Sequence, residues 1–402
     1  MARHSSANAV LFGYAPEMGA ELTYDLWATA AARAAAMTAA GQEPRRHHLV
    51  PRFYIDRWAV DGRVRVVDLL RGRNAYELSP AQAALETDFY RLDEPDDETS
   101  PVYWEAWLSE VERKAAASIA RIDAAGPGAM DDEAHQWLCL FLAVQMTRSR
   151  SARLRRRAMI AEQMARVLEI GGPGELAREL SAGDQSFASE DLEKLVADVE
   201  RFRTDPSQLP LPRKEDLESS AKAATHIAGI LMTRHVTLYG TRRALITCDE
   251  PVIELHEYMA NPAIGGGVWG APILAFPLGP YSVLAMYRRD LEPPLEPGSM
   301  LTTSEAIDLN SSILANAHSF AIACAGDSIA ERLYLPSQPV SIRSQLIDLP
   351  NSDESLFRFW TPRRWEGQHD APVRVVNRWW SGHIPAAPRP TPEEQKIIDG
   401  WG

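Results

Sequence analysis

Three apolar runs in the second half of the chain decide the fold: ALITCDEPVI at 244–253, ILAFPL at 273–278 and SVLAMY at 282–287. Each is short and bounded by proline or glycine, a pattern that favours buried strands over helices. Together they predict a small mixed or antiparallel sheet over residues 243–290.

The sequence before these runs is mostly helical in pattern. A small hairpin is expected at 63–78, where DG and RGRN mark turns. Apolar spacing and end signals predict helices at 14–40, 101–125, 131–148, 189–203, 214–238 and 303–325. The helices that begin near residues 101 and 131 are expected to pair as an antiparallel hairpin. The fold class is therefore α+β, mainly helical in its N-terminal and middle regions.

The same pattern divides the chain into three parts. Residues 1–44 form an N-terminal helical extension, and residues 326–402 form a C-terminal extension rich in proline and tryptophan. The core at 45–325 is divided into a helical part at about 45–240, a strand-rich part at about 241–300 and a closing helix at 303–325.

Amino-acid composition bears on the core, the partners and the cellular location of the protein. The 402 residues are 45% hydrophobic, enough to bury a sizeable core, and the net charge of −13 disfavours broad binding to nucleic acid or anionic membranes. Cys139, Cys248 and Cys324 are far apart and odd in number, which predicts free thiols. No run of about 18 apolar residues is present, and the first residues lack the apolar segment of a signal peptide. A cytoplasmic location without membrane contact is expected.

Six motifs resemble, in order and rough spacing, the pattern of domain of unknown function 4238. They are HHLVPRFY at 47–54, DFY at 88–90, QMTR at 145–148, ITCDEPV at 246–252, FPL at 276–278 and Asn310. The resemblance covers about residues 46–325 and implies a soluble, mostly bacterial protein without an assigned activity. Cys248 and Glu250 depart from the small or amide side chains expected at these positions.

His47 and His48 are the sharpest candidates for chemistry, because imidazole ligates metals and moves protons near neutral pH. The HHxxP run also resembles the start of an HNH nuclease finger. Neighbouring residues of an extended segment point to opposite sides, so one of the two is expected to face a site. A capping or packed histidine is the alternative for each.

Asp249 lies at the end of a predicted strand, where a rigid scaffold can present a carboxylate as a general base or a metal ligand. A turn in which this carboxylate accepts backbone N–H groups is the alternative. Arg52, Gln145, Arg148 and Asn310 complete the expected site as substrate-binding residues. The place of Arg148 beside Gln145 in the family pattern implies that Arg148 faces inward.

The segment from Arg148 to Arg157 carries six arginines. Guanidinium groups bind phosphate and carboxylate in a bidentate manner, so the expected partner is an anionic small molecule or nucleic acid. A solvated helix face paired with acidic residues is the alternative for Arg153 to Arg157.

Two functions follow from these residues. In the first, the protein is a hydrolase, or a nuclease-like enzyme acting on a phosphodiester, with His47, His48 and Asp249 in catalysis. A divalent metal held by His48 and Asp249 is one version of this enzyme. In the second, the protein is a non-catalytic binding or regulatory module in which the same residues form a structural polar network.

Overall fold

The computed structural model of the protein describes residues 20–92, 100–181, 188–255, 267–333, 343–348, 355–360, 377–380 and 388–400. Within these residues, helices and several small sheets occupy separate stretches of the chain, so the α+β prediction is confirmed. None of the described helices combines the length and apolar character that crossing a membrane requires.

The helices, in chain order, are α1 (Ala20–Ala39), α2 (Arg52–Ile55), α3 (Tyr103–Ala125), α4 (Asp132–Thr147), α5 (Arg150–Ser181), α6 (Ser189–Thr204), α7 (Arg213–Met232), α8 (Gly267–Gly270), α9 (Thr303–Asn316), α10 (Ile329–Arg332) and α11 (Pro392–Asp399).

The strands are β1 (Arg46–His48), β2 (Val64–Asp68), β3 (Asn74–Leu78), β4 (Leu85–Thr87), β5 (His235–Thr241), β6 (Thr247–Cys248), β7 (Ile253–Leu255), β8 (Ile273–Gly279), β9 (Ser282–Tyr287), β10 (Met300–Leu301), β11 (Phe320–Cys324), β12 (Arg343–Asp348) and β13 (Ser355–Trp360).

The chain forms two compact units. Of the described residues, those within 20–149, 213–333 and 377–400 form the larger unit, and those within 150–212 and 343–360 form the smaller unit. In the smaller unit α5 bends at Gly172, whose φ is +75°, and packs against α6 around Met164, Val199 and Phe202. A positive φ suits glycine because it has no Cβ to clash with the backbone.

The helices of the larger unit enclose its first core. The expected pairing of α3 with α4 is confirmed, and α4 also packs against α7. Trp104, Trp107, Leu108 and Val111 place one apolar stripe of α3 in this core, because residues three, four and seven positions apart share a helix face. Asp131 caps α4 by accepting a hydrogen bond from the backbone N–H of Ala134 at 2.8 Å.

Two main sheets complete the larger unit. The five-stranded sheet has the order β10-β5-β9-β8-β7, with β10 parallel to β5 and the other pairs antiparallel. The four-stranded sheet has the order β3-β2-β11-β6 and is antiparallel throughout. It contains the predicted hairpin, now β2 and β3.

Both faces of β8 and β9 are buried, which explains their continuous apolar sequence. Phe276 and Leu284 lie in the helical core, whereas Ala275 and Ala285 lie in a second core that α9 also contacts. This alternation follows from the two-residue period of a strand. The prediction of buried strands at 273–278 and 282–287 is confirmed.

Two predicted helix ends are wrong. The helix expected at 214–238 ends at Met232, and His235–Thr241 forms β5, which pairs with β9 over six residues. The helix expected at 303–325 ends at Asn316, and Phe320–Cys324 forms β11 between β2 and β6. In both cases pairing with strands distant in sequence overrides the local helical pattern.

The parts of the chain outside residues 46–325 also pack on the larger unit. Helix α1 packs against α3, and α11 packs against α7. Trp379 is fully buried in the second core, and Arg378 pairs with Glu305. Trp365 and Trp401 of the predicted tryptophan-rich tail lie outside the described residues.

Candidate functional site

Arg148, the residue that follows α4, is the centre of a buried polar cluster in the larger unit. Its side chain is only 3% exposed. One guanidinium nitrogen, Nη1, donates to Glu112 Oε1 at 3.0 Å, and the other, Nη2, donates to Gln145 Oε1 at 2.9 Å. Arg148 therefore faces inward beside Gln145, as expected, and its charge is balanced by a carboxylate from α3.

Glu105 and Glu112 share one face of α3, because seven residues are close to two helical turns. Burial, reinforced by the negative charge of Glu112, raises the pKa of Glu105 to about 7, although Arg148 and Arg33 pull it down. Burial also raises the pKa of Glu112, and Arg148 opposes that shift. The cluster thus holds two carboxyl groups, both with pKa values raised by burial, beside one buried cation.

Glu105 differs from Glu112 in its hydrogen bonding. Within the described residues no hydrogen bond reaches its carboxyl group, whereas Glu112 is fixed by Arg148. Its side chain is partly buried rather than sealed. A carboxyl group with a pKa near 7 and no hydrogen-bond partner in the described part of the chain is suited to exchange a proton with a ligand.

His48 lies near this cluster. It is the last residue of β1, which pairs with β4, and its ring nitrogen Nε2 is buried with no hydrogen-bond partner among the described residues. Burial lowers the pKa of His48, and the positive charges of Arg148 and Arg52 lower it further. The imidazole is therefore neutral at physiological pH. Arg52 itself is 62% exposed and lies 3.7 Å from Asp56.

His47 points to the other side of β1 and is held by the backbone. Its Nδ1 accepts from the N–H of Tyr90 at 3.0 Å, which leaves Nε2 to donate to the carbonyl of Pro44 at 3.1 Å. The ring is 1% exposed, and burial lowers its pKa. These contacts correspond to the packed-histidine alternative, and the catalytic role of His47 stays a prediction.

Asp249 follows β6 and also contacts backbone. Its two carboxylate oxygens accept from the N–H groups of His318 at 2.9 Å and Ser319 at 2.7 Å. Burial, reinforced by Glu250, raises the pKa of Asp249 to about 7, and the two backbone donors pull it down. Asp249 thus binds the backbone ahead of β11, about seventy residues away, instead of the local turn that the alternative expected.

The structure does not join Asp249 to the histidines. No hydrogen bond or ion pair links it to His47 or His48 in the described part of the chain, and no group of three or more His, Cys, Asp or Glu residues there could hold a metal ion. Metal binding by His48 and Asp249 stays a prediction.

Asn310 is fully buried, and its side chain links α9 to the backbone of the segment just before β6. Its Oδ1 accepts from the N–H of Ile246 at 2.8 Å, and its Nδ2 donates to the carbonyl of Ala244 at 2.9 Å. Both polar atoms of this amide are therefore satisfied by backbone. Of the expected site residues, the structure joins Arg148 and Gln145 by a hydrogen bond, and the charges of Arg148 and Arg52 act on His48. It places Asn310 and Asp249 in separate backbone contacts.

The remaining arginines belong to a different unit from Arg148. Arg150, Arg153, Arg155, Arg156 and Arg157 lie on α5 in the smaller unit, and each is partly exposed. Nucleic-acid binding by this helix stays a prediction.

Glu105 and Glu112 were missed because acidic residues on a helix usually face solvent. One feature of the sequence could have indicated them. Both lie within three residues of inward-facing positions of α3, and their spacing of seven residues puts them on a single face of that helix. The partner that makes this face important, Arg148, comes from another helix.

The fold and the cluster together define an α+β protein with a buried arginine–carboxylate centre between two helices. The family model described as "Protein of unknown function (DUF4238)" matches residues 46–327. The chain belongs to this family. The search of curated proteins and the search of solved structures both found no match.

Proposed function

We propose that the protein is a bacterial, cytoplasmic enzyme of hydrolase type that acts on an anionic substrate at the Arg148 cluster. Glu105 serves as the general acid or base, and Arg148 provides the positive charge that attracts the substrate. The observation that carries this proposal is the Glu105 carboxyl group, which has a pKa of about 7 and no hydrogen bond among the described residues, close to a buried guanidinium. A catalytic acid or base works best when its pKa lies near the working pH.

The neighbouring residues support such a role. Glu112 fixes the orientation of Arg148 through Nη1, and Gln145 holds Nη2. His48 supplies a neutral imidazole, a group that can accept or donate a proton. A phosphodiester is the concrete substrate class, in a small molecule or in nucleic acid, because guanidinium groups recognise phosphate oxygens. A divalent metal would assist such a hydrolysis by activating water.

The cytoplasmic part of the proposal is supported by the cysteines. Cys139, Cys248 and Cys324 are all free thiols. Reduced thiols are typical of a reducing compartment.

The test is turnover with and without the proposed acid or base. Purified protein would be assayed against phosphodiester, phosphomonoester and carboxylic ester reporters from pH 5 to 9, with and without added Mg²⁺ or Mn²⁺. Glu105→Gln should lower kcat by about 10²-fold or more and remove an inflection near pH 7, since general acid–base catalysis contributes about 10²–10⁴-fold. Glu169→Gln, which removes a carboxylate from an exposed ion pair with Arg166, is the matched control and should leave turnover unchanged. Equal turnover of Glu105→Gln and the parent would refute the role of Glu105.

The second candidate is a non-catalytic binding or regulatory module, in which the polar residues serve the fold. The observation in its favour is that His47, Asp249 and Asn310 each make hydrogen bonds to two backbone groups. Variants of these three residues that lose stability, together with a parent that turns over no reporter, would favour this candidate over the enzyme.

A further inference from the structure

Helix α1 packs along the start of α3, the stretch that contains Glu105. The rings of Trp27 and Tyr103 are stacked with their centroids 6.0 Å apart, and the hydroxyl oxygens of Thr38 and Ser100 are 2.8 Å apart. These two contacts hold α1 against the beginning of α3 at both ends of residues 27–38. The part of α1 between them therefore lies beside Glu105.

Arg33 belongs to this packed part of α1. Its neighbour Ala34 is buried in one apolar cluster with Ala106, and Ala106 directly follows Glu105 in α3. Arg33 also comes three residues after the buried Ala30, so the helical period puts it at the edge of the α1 face that meets α3. Arg33 is itself exposed, and it makes no ion pair or hydrogen bond with the residues that the structure describes.

Arg33 is more accessible to a ligand than Arg148 is. Burial raises the pKa of Glu105, and the positive charges of Arg148 and Arg33 both lower it, so both guanidinium groups act on this carboxyl group. The side chain of Arg148 is only 3% exposed, and its two Nη atoms already donate to Glu112 and Gln145. Of the two cations, Arg33 is therefore the one that a substrate can reach from solvent.

We propose that Arg33 binds the phosphate group of the substrate beside Glu105 and so determines which substrates the site accepts. This inference rests on the proposed function, in which Glu105 exchanges a proton with an anionic substrate, and it adds the group that holds that substrate. A guanidinium group matches two oxygens of a phosphate. Helix α1 lies outside residues 46–327, which the family model matches, so this chain supplies the binding group from its N-terminal segment.

The test is the binding of dimethyl phosphate, a minimal phosphodiester, to the full-length protein, followed by melting temperature. Trimethyl phosphate is the matched probe, because it has a similar shape and no charge, and sodium chloride keeps the ionic strength constant. A ligand that binds only the folded state stabilises it in a saturable manner. We expect the Tm to rise and level off in dimethyl phosphate and to stay flat in trimethyl phosphate.

Two arginine variants identify the binding group. Arg33→Gln removes the guanidinium from an exposed position and keeps a good helix former there, so the fold should be unaffected. It should weaken dimethyl phosphate binding roughly tenfold or more, as expected for a lost hydrogen bond to a charged group. Arg71→Gln is the matched control, because Arg71 is also exposed but lies between β2 and β3. This control should bind dimethyl phosphate as the parent does.

Two outcomes would overturn the proposal: a parent whose Tm is the same in both phosphates, or an Arg33→Gln protein that binds dimethyl phosphate as tightly as Arg71→Gln does. Glu105→Gln separates this result from the proposed function, because that variant keeps Arg33 and should still bind dimethyl phosphate. Weaker binding by Arg33→Gln with unchanged turnover by Glu105→Gln would retain Arg33 as the binding group and reject the role of Glu105. Lost turnover in Glu105→Gln with parent-like binding by Arg33→Gln would reject the role of Arg33 alone.

Discussion

Replacing Glu105 with glutamine should make the protein more stable at alkaline pH. Burial, with the help of Glu112, raises the pKa of Glu105 from 4.5 to about 7. An acid whose pKa is raised by folding keeps its proton up to a higher pH in the folded state than in the unfolded state. The free energy of unfolding therefore falls as the pH rises from about 4.5 to about 7, and the full penalty persists above that range.

The size of this penalty follows from the pKa change. At 1.36 kcal/mol per pKa unit, a rise from 4.5 to about 7 corresponds to at most about 3 kcal/mol. Solvent reaches part of the side chain, so roughly 1–3 kcal/mol is the expected range. Glutamine has nearly the same shape and no charge, so it removes the penalty.

The assay is urea unfolding of the parent and Glu105→Gln at pH 5 and at pH 8. At pH 8 the midpoint of the variant should lie above that of the parent, by the equivalent of about 1–3 kcal/mol, and at pH 5 the two should nearly coincide. Glu169→Gln serves as the control, because its exposed ion pair contributes about 0–1 kcal/mol at both pH values. A variant that is less stable than the parent at pH 8 would refute the reasoning, because Glu105 would then be a stabilising carboxylate.

Three further predictions concern the residues that bind backbone or fill a core, each measured as the urea midpoint at pH 7. Asp249→Asn should lower the free energy of unfolding by about 1–3 kcal/mol, because one of the two backbone N–H donors then faces an amide NH₂ group. An unchanged urea midpoint would contradict this contact. Asn310→Ala should cost about 2–5 kcal/mol by leaving the N–H of Ile246 and the carbonyl of Ala244 unsatisfied, and a cost below 1 kcal/mol would count against the bridge. Trp379→Ala should cost about 3–5 kcal/mol because the side chain is fully buried, and a mild effect would show that the segment is dispensable.

The strands predicted best from sequence are those whose pattern is local. The runs at 273–278 and 282–287 are apolar at every position except Ser282 because β8 and β9 are buried on both faces, and the bounding glycine and proline residues limit their length. The N-terminus of α4 was equally clear, since Asp131 is a typical cap.

The errors have a common physical cause. Phe320–Cys324 reads FAIAC, a run that suits a helix as well as a strand, and β11 forms because β2 and β6 offer hydrogen bonds on both sides. Those partners come from residues 64–68 and 247–248. Sequence spacing around residue 320 contains no information about them.

The same limit explains what was found and missed in the candidate site. Arg148 and Gln145 were predicted together because both belong to the QMTR motif of the family pattern, and the structure joins them through a hydrogen bond at 2.9 Å. Glu112 reaches Arg148 from a different helix, so only the packing of α3 on α4 reveals it.

Stability and function can be separated by comparing two buried carboxyl groups, Glu105 in the Arg148 cluster and Asp249 outside it. Asp249 and Glu105 both have a pKa raised to about 7 by burial, yet Asp249 receives two backbone hydrogen bonds and Glu105 receives none from the residues that the structure describes. A fold gains nothing from a half-buried carboxyl group without a partner, and destabilising groups of this kind persist where a protein needs them for a ligand or a reaction. A Glu105→Gln protein that is both more stable at pH 8 and less active would therefore locate the function at Glu105, whereas greater stability with unchanged activity would leave the Arg148 cluster as part of the fold alone.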